Sequence, residues 1–283
     1  MAAYLGLAIG DALGATVEFM TPNEIRHQIG VHRELTGGGW LKLKPGQVTD
    51  DTTMALALGE SILQNGGRVD ALAAAQAFDA WMRAKPVDIG NTVRRNLIAF
   101  RRSGNPEAPA SEHDAGNGAA MRTLPVALAC FGQDESTTAA AVRAQAHVTH
   151  HNAISDAGCT TLVLMVQDFI AGRSDIEVLH HRAHALAQAF PNYAFRGKPR
   201  LNPSGYVVDT IVAVFQAFFE TESFEDCLID VVNRGGDADT TGAIAGMLAG
   251  ARYGMAGIPK RWLIALDPKI REACLRQAGE IIG

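Results

Sequence analysis

The sequence is short of cysteine, of aromatics and of positive charge, and each shortage removes a class of protein. Its four cysteines in 283 residues, Cys130, Cys159, Cys227 and Cys274, stand far apart. They form no CxxC pair and no zinc-ligand spacing, so neither a disulfide framework nor a structural zinc site is expected. Aromatics supply only 6% of residues, too few for a β-sandwich, which is richer in Tyr, Val, Ile and Thr. A net charge of -5 argues against a nucleic-acid footprint, which needs a basic excess. No run of 18 apolar residues occurs, so no integral membrane segment is expected. The apolar start MAAYLGLAIGDALG lacks the basic flank of a signal peptide and carries Asp11 early. A cytoplasmic location with reduced thiols is the expectation.

Alanine is abundant instead, at 46 residues, within a 47% hydrophobic and 19% charged composition. Alanine is the strongest helix former and lets helices approach closely, which points to an all-α protein with a sizeable core. Apolar periodicity with capping and breaking residues predicts helices at about 3–18, 50–64, 69–84, 89–102, 118–131, 136–149, 153–172, 176–189, 205–219, 223–233, 239–253 and 268–281, with a short turn near 259–265. The stretches 20–48 and 190–204 are expected to be irregular. Nothing resembling a repeat or linker divides the chain, and residues 1–283 are expected to form a single domain.

Three local patterns carry chemistry. Gly6, Gly10 and Gly14 recur every four residues, a costly choice in a helix unless something packs closely against that stripe. On another face Asp11, Gly14 and Glu18 share a helical spacing, which aims two carboxylates the same way. Thr49-Asp50-Asp51-Thr52-Thr53 opens one apolar helix, and Gly235-Gly236-Asp237-Ala238-Asp239-Thr240-Thr241 opens another. Taken singly, each acidic turn reads as a helix cap. Taken together they read differently. If the two helix starts meet, at least four carboxylates share one cleft, a cost that only cations would offset. Oxygen donors without cysteine suit Mg²⁺ or Mn²⁺, so two divalent cations are expected, with Glu18 and Asp11 beside them.

The segments GLAIGDALGATVEF (6–19), TDDTTM (49–54), VDIGNT (87–92), AGNGAAMR (115–122), THHN (149–152), SGYVVDT (204–210) and GGDADTTGAIAGMLAGARYG (235–254), in this order, resemble the ADP-ribosylglycohydrolase family. That resemblance implies an all-α, compact orthogonal multi-helix bundle with a binuclear Mg²⁺ or Mn²⁺ centre. It implies metal ligation by Thr49, Asp50, Asp51, Asp237, Asp239 and Thr240, and catalytic roles for Asp88, Glu18 and Asp51. Substrate contacts would come from Asn117, Gly118, His150, His151, Ser204, Gly205 and Tyr206. The Gly116-Asn117-Gly118 turn is expected to open a helix whose free N–H groups hold a pyrophosphate. The glycine-rich Thr36–Trp40 loop resembles a mobile flank of the active site.

The implied activity is metal-dependent removal of ADP-ribose from an arginine side chain of a target protein. The segments TGGGW, LKPGQVTDD and VDIGNT look most like the nitrogenase-regulating members. By that resemblance the partner is dinitrogenase reductase, with recruitment by a PII-type signalling protein and an ammonium channel and reversible membrane association through them. Alternatives are a serine-linked ADP-ribose hydrolase, a two-metal phosphohydrolase and a silent ADP-ribose-binding member.

Overall fold

Glycine and alanine dictate the centre of the molecule. In the computed structural model, which describes residues 1–173 and 176–283, the chain folds into α-helices α1 (Ala2–Gly14), α2 (Pro22–Gln28), α3 (Asp50–Gln64), α4 (Ala71–Arg83), α5 (Asn91–Ser103), α6 (Leu124–Ala129) and α7 (Glu135–Ala146). The second half contributes α8 (Ala153–Ile170), α9 (Ile176–Ala189), α10 (Val207–Glu220), α11 (Phe224–Val232), α12 (Ala238–Gly257), α13 (Lys260–Ala265) and α14 (Pro268–Ile282). Two 3₁₀ turns, Asn117–Ala119 and Pro191–Tyr193, complete it. Among the described residues the only β-pairings are isolated bridges, Gly38 with Leu43 and Gly116 with Tyr206. The all-α expectation holds.

Helix α1 is buried from Ala3 to Gly14 and runs antiparallel to α12 with almost nothing between the two backbones. A Cβ on Gly6 would sit 2.0 Å from Gly246 O, one on Gly10 1.9 Å from Gly242 O, and one on Gly14 2.0 Å from Ala238 O. The glycine stripe thus has its reason: no side chain fits in the seam. Antiparallel packing puts the end of α1 beside the start of α12. Helices α3, α11 and α14 also pack on α1, and α8 and α10 on α12.

Several expectations need correction. The first helix stops at Gly14 rather than residue 18, so Glu18 sits in the following turn and not on a helical face with Asp11. The 118–131 segment divides into the 3₁₀ turn at Asn117–Ala119 and α6, whose Pro125 suits a fresh helix start but cannot continue an earlier one. The 20–48 stretch contains α2, set by a capping box in which Thr21 and Glu24 satisfy each other's backbone N–H groups. Helix α12 runs past residue 253, but Gly254 departs from helical geometry at φ 64°. By length and composition α8 is apolar enough to cross a bilayer, an outcome the search for unbroken apolar runs did not anticipate. Over half of it is buried inside the bundle, and its Asp168 pairs with Arg173 and Arg182, which makes it a core helix.

Candidate metal centre and substrate cleft

Helix starts often consume the polar side chain that precedes them, and six helices here behave that way, α2 through Thr21 among them. Asp70, Asp134, Asn152, Ser223 and Asp267 each accept hydrogen bonds from the first turn they cap. At α3 and α12 a capping residue type is present but not used that way: neither Thr49 nor Asp237 makes a side-chain cap hydrogen bond. Their oxygens are turned to another use.

That use is visible where the two turns meet. Asp50, Asp51 and Asp239 each bring an oxygen within 4.8 Å of the others, and Glu18, Asp237 and Asp239 do the same. Asp239 belongs to both groups, so two overlapping sets of candidate ligands share it. Thr49 Oγ1 is 3.2 Å from Asp51 Oδ2 and 3.4 Å from Asp239 Oδ2. Thr240 stands beside Asp51, and its hydroxyl partly offsets the rise of that carboxyl. Gly235 and Gly236 make the convergence possible at φ 71° and 68°, where a Cβ would strike Met20 O or Pro203 O.

Asp11 belongs to the support. It lies fully buried under the first turn and accepts from Thr49 N at 2.9 Å, Thr49 Oγ1 at 3.0 Å, Thr52 N at 3.0 Å and Thr52 Oγ1 at 2.5 Å. Four donors fix the TDDT turn in place.

The electrostatics follow from crowding. Burial, then the neighbouring acids, pushes Asp50 up to about 7 and Glu18 up to about 8. Asp51 and Asp239 are driven well above the usual carboxylate range for the same reasons. Asp51 Oδ1 is buried without any hydrogen-bond partner. An orphaned carboxylate oxygen among hard oxygen donors is what a Mg²⁺- or Mn²⁺-type site requires, and the residues present fit such ions.

These acids form the floor of a cleft of about 350 Å³. Its walls include Phe19, Asp88, Asn91, Val93, Asn117, Gly118, His150 and Gly205. Asp88 stands close enough to raise both Asp50 and Glu18, while its Oδ1 accepts Ile89 N at 2.7 Å. Asn117 Nδ2 donates to Asp237 Oδ2 at 2.8 Å and to Thr210 Oγ1 at 2.9 Å, so Asn117 orients a carboxylate of the floor. Gly116 and Gly118 leave room for the His150 ring, since a Cβ on Gly118 would lie 2.8 Å from its Cε1. Burial, with Arg122 and Arg95 nearby, holds His150 neutral, down to about 3.

The placement differs from expectation at several residues. His151 lies outside the cleft: its Nδ1 is 2.8 Å from Ala108 O, and its ring stacks on His147 at 3.7 Å beside Glu107. Adjacent residues after a helix end point apart, and only His150 turns inward. Ser204 spends its hydroxyl on Asp209, and Tyr206 forms the bridge to Gly116, so both flank the cleft rather than line it. The Asn117 N–H is taken by Gly205 O, so it is not free for an anion. The Thr36–Trp40 loop is tied down by Thr16 Oγ1 on Gly37 O and by the Gly38–Leu43 bridge.

Sequence reasoning assigned no role to Arg122. It is fully buried, donates to Gln145 Oε1, Gln145 O and Thr149 Oγ1, and lies 4.4 Å over the Phe78 ring. The Thr149 hydroxyl in turn meets His150 Nδ1 at 2.7 Å. Arg122 donates to the Thr149 oxygen, and the hydroxyl has no other acceptor among the described residues, so its proton serves His150 Nδ1 and leaves Nε2 as the protonated nitrogen. Nε2 is the atom nearest the space a Cβ on Gly116 would fill. The AGNGAAMR motif held this residue, but nothing in its spacing announced a buried cation.

Fold and site together define an all-helical protein built around a carboxylate centre for hard cations. A model of the ADP-ribosylglycohydrolase family matches residues 1–282, and the chain belongs to that family. It is 49% identical over 282 residues to the ADP-ribosyl-[dinitrogen reductase] glycohydrolase of Rhodospirillum rubrum, covering 100% of this chain and 95% of that protein. It is 34% identical to the ADP-ribosylarginine hydrolase Tri1 of Serratia proteamaculans, over 92% of this chain and 73% of that one. A solved structure described as an ADP-ribosylglycohydrolase-related protein complex superposes with a TM-score of 0.88 at 35% identity, covering 99% and 95% of the two chains.

Proposed function

We propose that this protein hydrolyses the N-glycosidic bond between ADP-ribose and an arginine side chain of a target protein, reversing its modification. The observation that carries the reading is the shared Asp239: two acidic turns, 186 positions apart at Asp51 and Asp237, supply overlapping oxygen groups and leave Asp51 Oδ1 unpaired. The names of the relatives from R. rubrum and S. proteamaculans support arginine as the linkage and dinitrogenase reductase as the target. A cytoplasmic location and recruitment by a PII-type protein and an ammonium channel, through which it associates reversibly with the membrane, go with that proposal.

Thr49, Asp50 and Asp51 would hold two divalent cations, Mn²⁺ or Mg²⁺, from one side and Asp237, Asp239 and Thr240 from the other, with Glu18 adjacent. Bound there, they supply fixed positive charge to orient ribose hydroxyls and make a water easier to deprotonate. The chain's own groups do the rest. His150 presents an Nε2–H to the anionic part of the substrate from a wall that Gly116 and Gly118 keep thin. Asn117 keeps Asp237 aimed into the floor. Asp88 and Glu18 face the same space and carry the proton traffic, while their negative charge favours the positive charge that grows on the ribose as the bond breaks.

Removing divalent cations with a chelator is expected to abolish release of ADP-ribose from an ADP-ribosyl-arginine protein, and Mn²⁺ to restore it. Asp239→Asn should lower the rate by at least about 100-fold with the helical circular dichroism unchanged. Full turnover in excess chelator would refute the proposal.

A further inference from the structure

The two most exposed aromatic rings among the described residues stand together at the rim of the acidic floor. Phe19 is 64% and Trp40 52% exposed, and their ring centroids are 5.5 Å apart at an interplanar angle of 46°. Both are held there at a cost. Phe19 adopts φ 63°, a left-handed conformation that bulky residues rarely occupy. Trp40 follows three glycines at φ 66°, 87° and 64°, and a Cβ on Gly39 would lie 2.5 Å from Ala15 O. The indole Nε1 donates to Glu18 Oε2 at 2.6 Å, which ties the ring to the carboxylate floor.

Charge and shape select the occupant. Ring faces and carboxylates both attract a cation and both repel an anion. An apolar side chain would gain nothing from Glu18, Asp88 and Asp237 below. A guanidinium is planar, weakly hydrated and able to stack on an indole while donating to carboxylates, whereas an ammonium is a strongly hydrated point charge. We infer that Phe19 and Trp40 form the wall that receives the guanidinium of the ADP-ribosylated arginine and set the preference for a cationic over a neutral side chain. This specificity role rests on the arginine-linked hydrolysis proposed above.

The test uses two probes that differ in charge but hardly in shape, N-acetyl-arginine amide and N-acetyl-citrulline amide, added to the Mn²⁺-loaded full chain. Trp40 is far more exposed than Trp81 or the buried Trp262, and Trp40→Phe supplies the blank for their fluorescence. The arginine probe is expected to give a saturable Trp40-dependent change, with the citrulline probe about tenfold weaker. Phe19→Leu should erase most of that difference. In turnover, Trp40→Leu should raise KM for an ADP-ribosyl-arginine peptide about tenfold while the inhibition constant of free ADP-ribose stays within about twofold, and Trp40→Phe should bring KM most of the way back. Equal response to both probes overturns the inference, and so does loss of ADP-ribose affinity in Trp40→Leu. A protein that discriminates the probes but hydrolyses no ADP-ribosyl-arginine would refute the activity and leave the wall standing.

Discussion

Arg122 shows how much a single buried charge can organise. Burial pulls its guanidinium down to about 9, yet among the described residues no carboxylate is paired with it. Gln145, Thr149 and the face of Phe78 hold it instead, and through Thr149 it fixes which nitrogen of His150 carries the proton. A lysine offers one point charge and cannot occupy the forked geometry. Arg122→Lys is therefore expected to destabilise the protein by about 2–3 kcal/mol, read as a lower urea midpoint at unchanged m-value. Nitrogen-15 spectra should show the His150 tautomer shifting toward Nδ1–H. A variant with the original midpoint and tautomer would remove Arg122 from the site. Single residues of this kind were the least legible in the sequence, because a buried arginine and a surface arginine look alike until the partners are known.

Elements were legible where pattern and packing agree. Gly6, Gly10 and Gly14 announced a close approach, and Gly242 and Gly246 supplied its other half. The acidic turns TDDTT and GGDADTT were readable as a pair, and the two helix starts do meet. What pattern could not show was where α1 ends, because Ala15–Val17 continue the apolar run while the chain turns to hand Phe19 N to Gly236 O. Nor could it show that Thr49 and Asp237 leave their own helices uncapped. The seam between α1 and α12 gives a sharp expectation. Gly10→Ala places a methyl 1.9 Å from a backbone oxygen and should cost about 3 kcal/mol, at the upper end of ordinary overpacking. Gly279→Ala, in α14 with open space around it, should instead be neutral or stabilise by up to about 1 kcal/mol. Thermal midpoints of the two variants check both, and a Gly10→Ala protein as stable as its parent would mean that the helices can part.

Over the whole molecule, the buried acids couple stability to pH and to cations. In the metal-free protein burial raises Asp11 to about 6, Asp50 to about 7 and Glu18 to about 8, and drives Asp51 and Asp239 well above the usual carboxylate range. The folded chain then binds more protons than the unfolded chain above pH ~4, so its stability falls as pH rises toward 8. His147, raised by Asp156 and Glu107 against the burial that opposes them, adds in the same direction near its own titration. His150, held neutral down to about 3, and His32, lowered by burial, act oppositely below pH ~6.5 but are outnumbered by the five raised acids. Asp134 and Glu24, lowered by hydrogen bonds, lie in solvent, where such bonds weigh little. Divalent cations bound as proposed would take the place of the protons. The thermal midpoint of chelated protein should drop by several degrees between pH 5 and pH 8, and Mn²⁺ should raise it more at pH 8 than at pH 5. A flat or rising midpoint without metal would contradict the buried-acid account.

The seam between α1 and α12 also limits how the molecule can breathe. Sliding one helix past the other by a single glycine repeat would shift Asp239 by about 6 Å along the axis, beyond any shared ion with Asp51. The seam therefore serves as a fixed length standard for the spacing of the acids, and hinge opening between those two segments is denied. Admission of a modified side chain has to come from the outer walls, where the 85–90 loop borders the same floor.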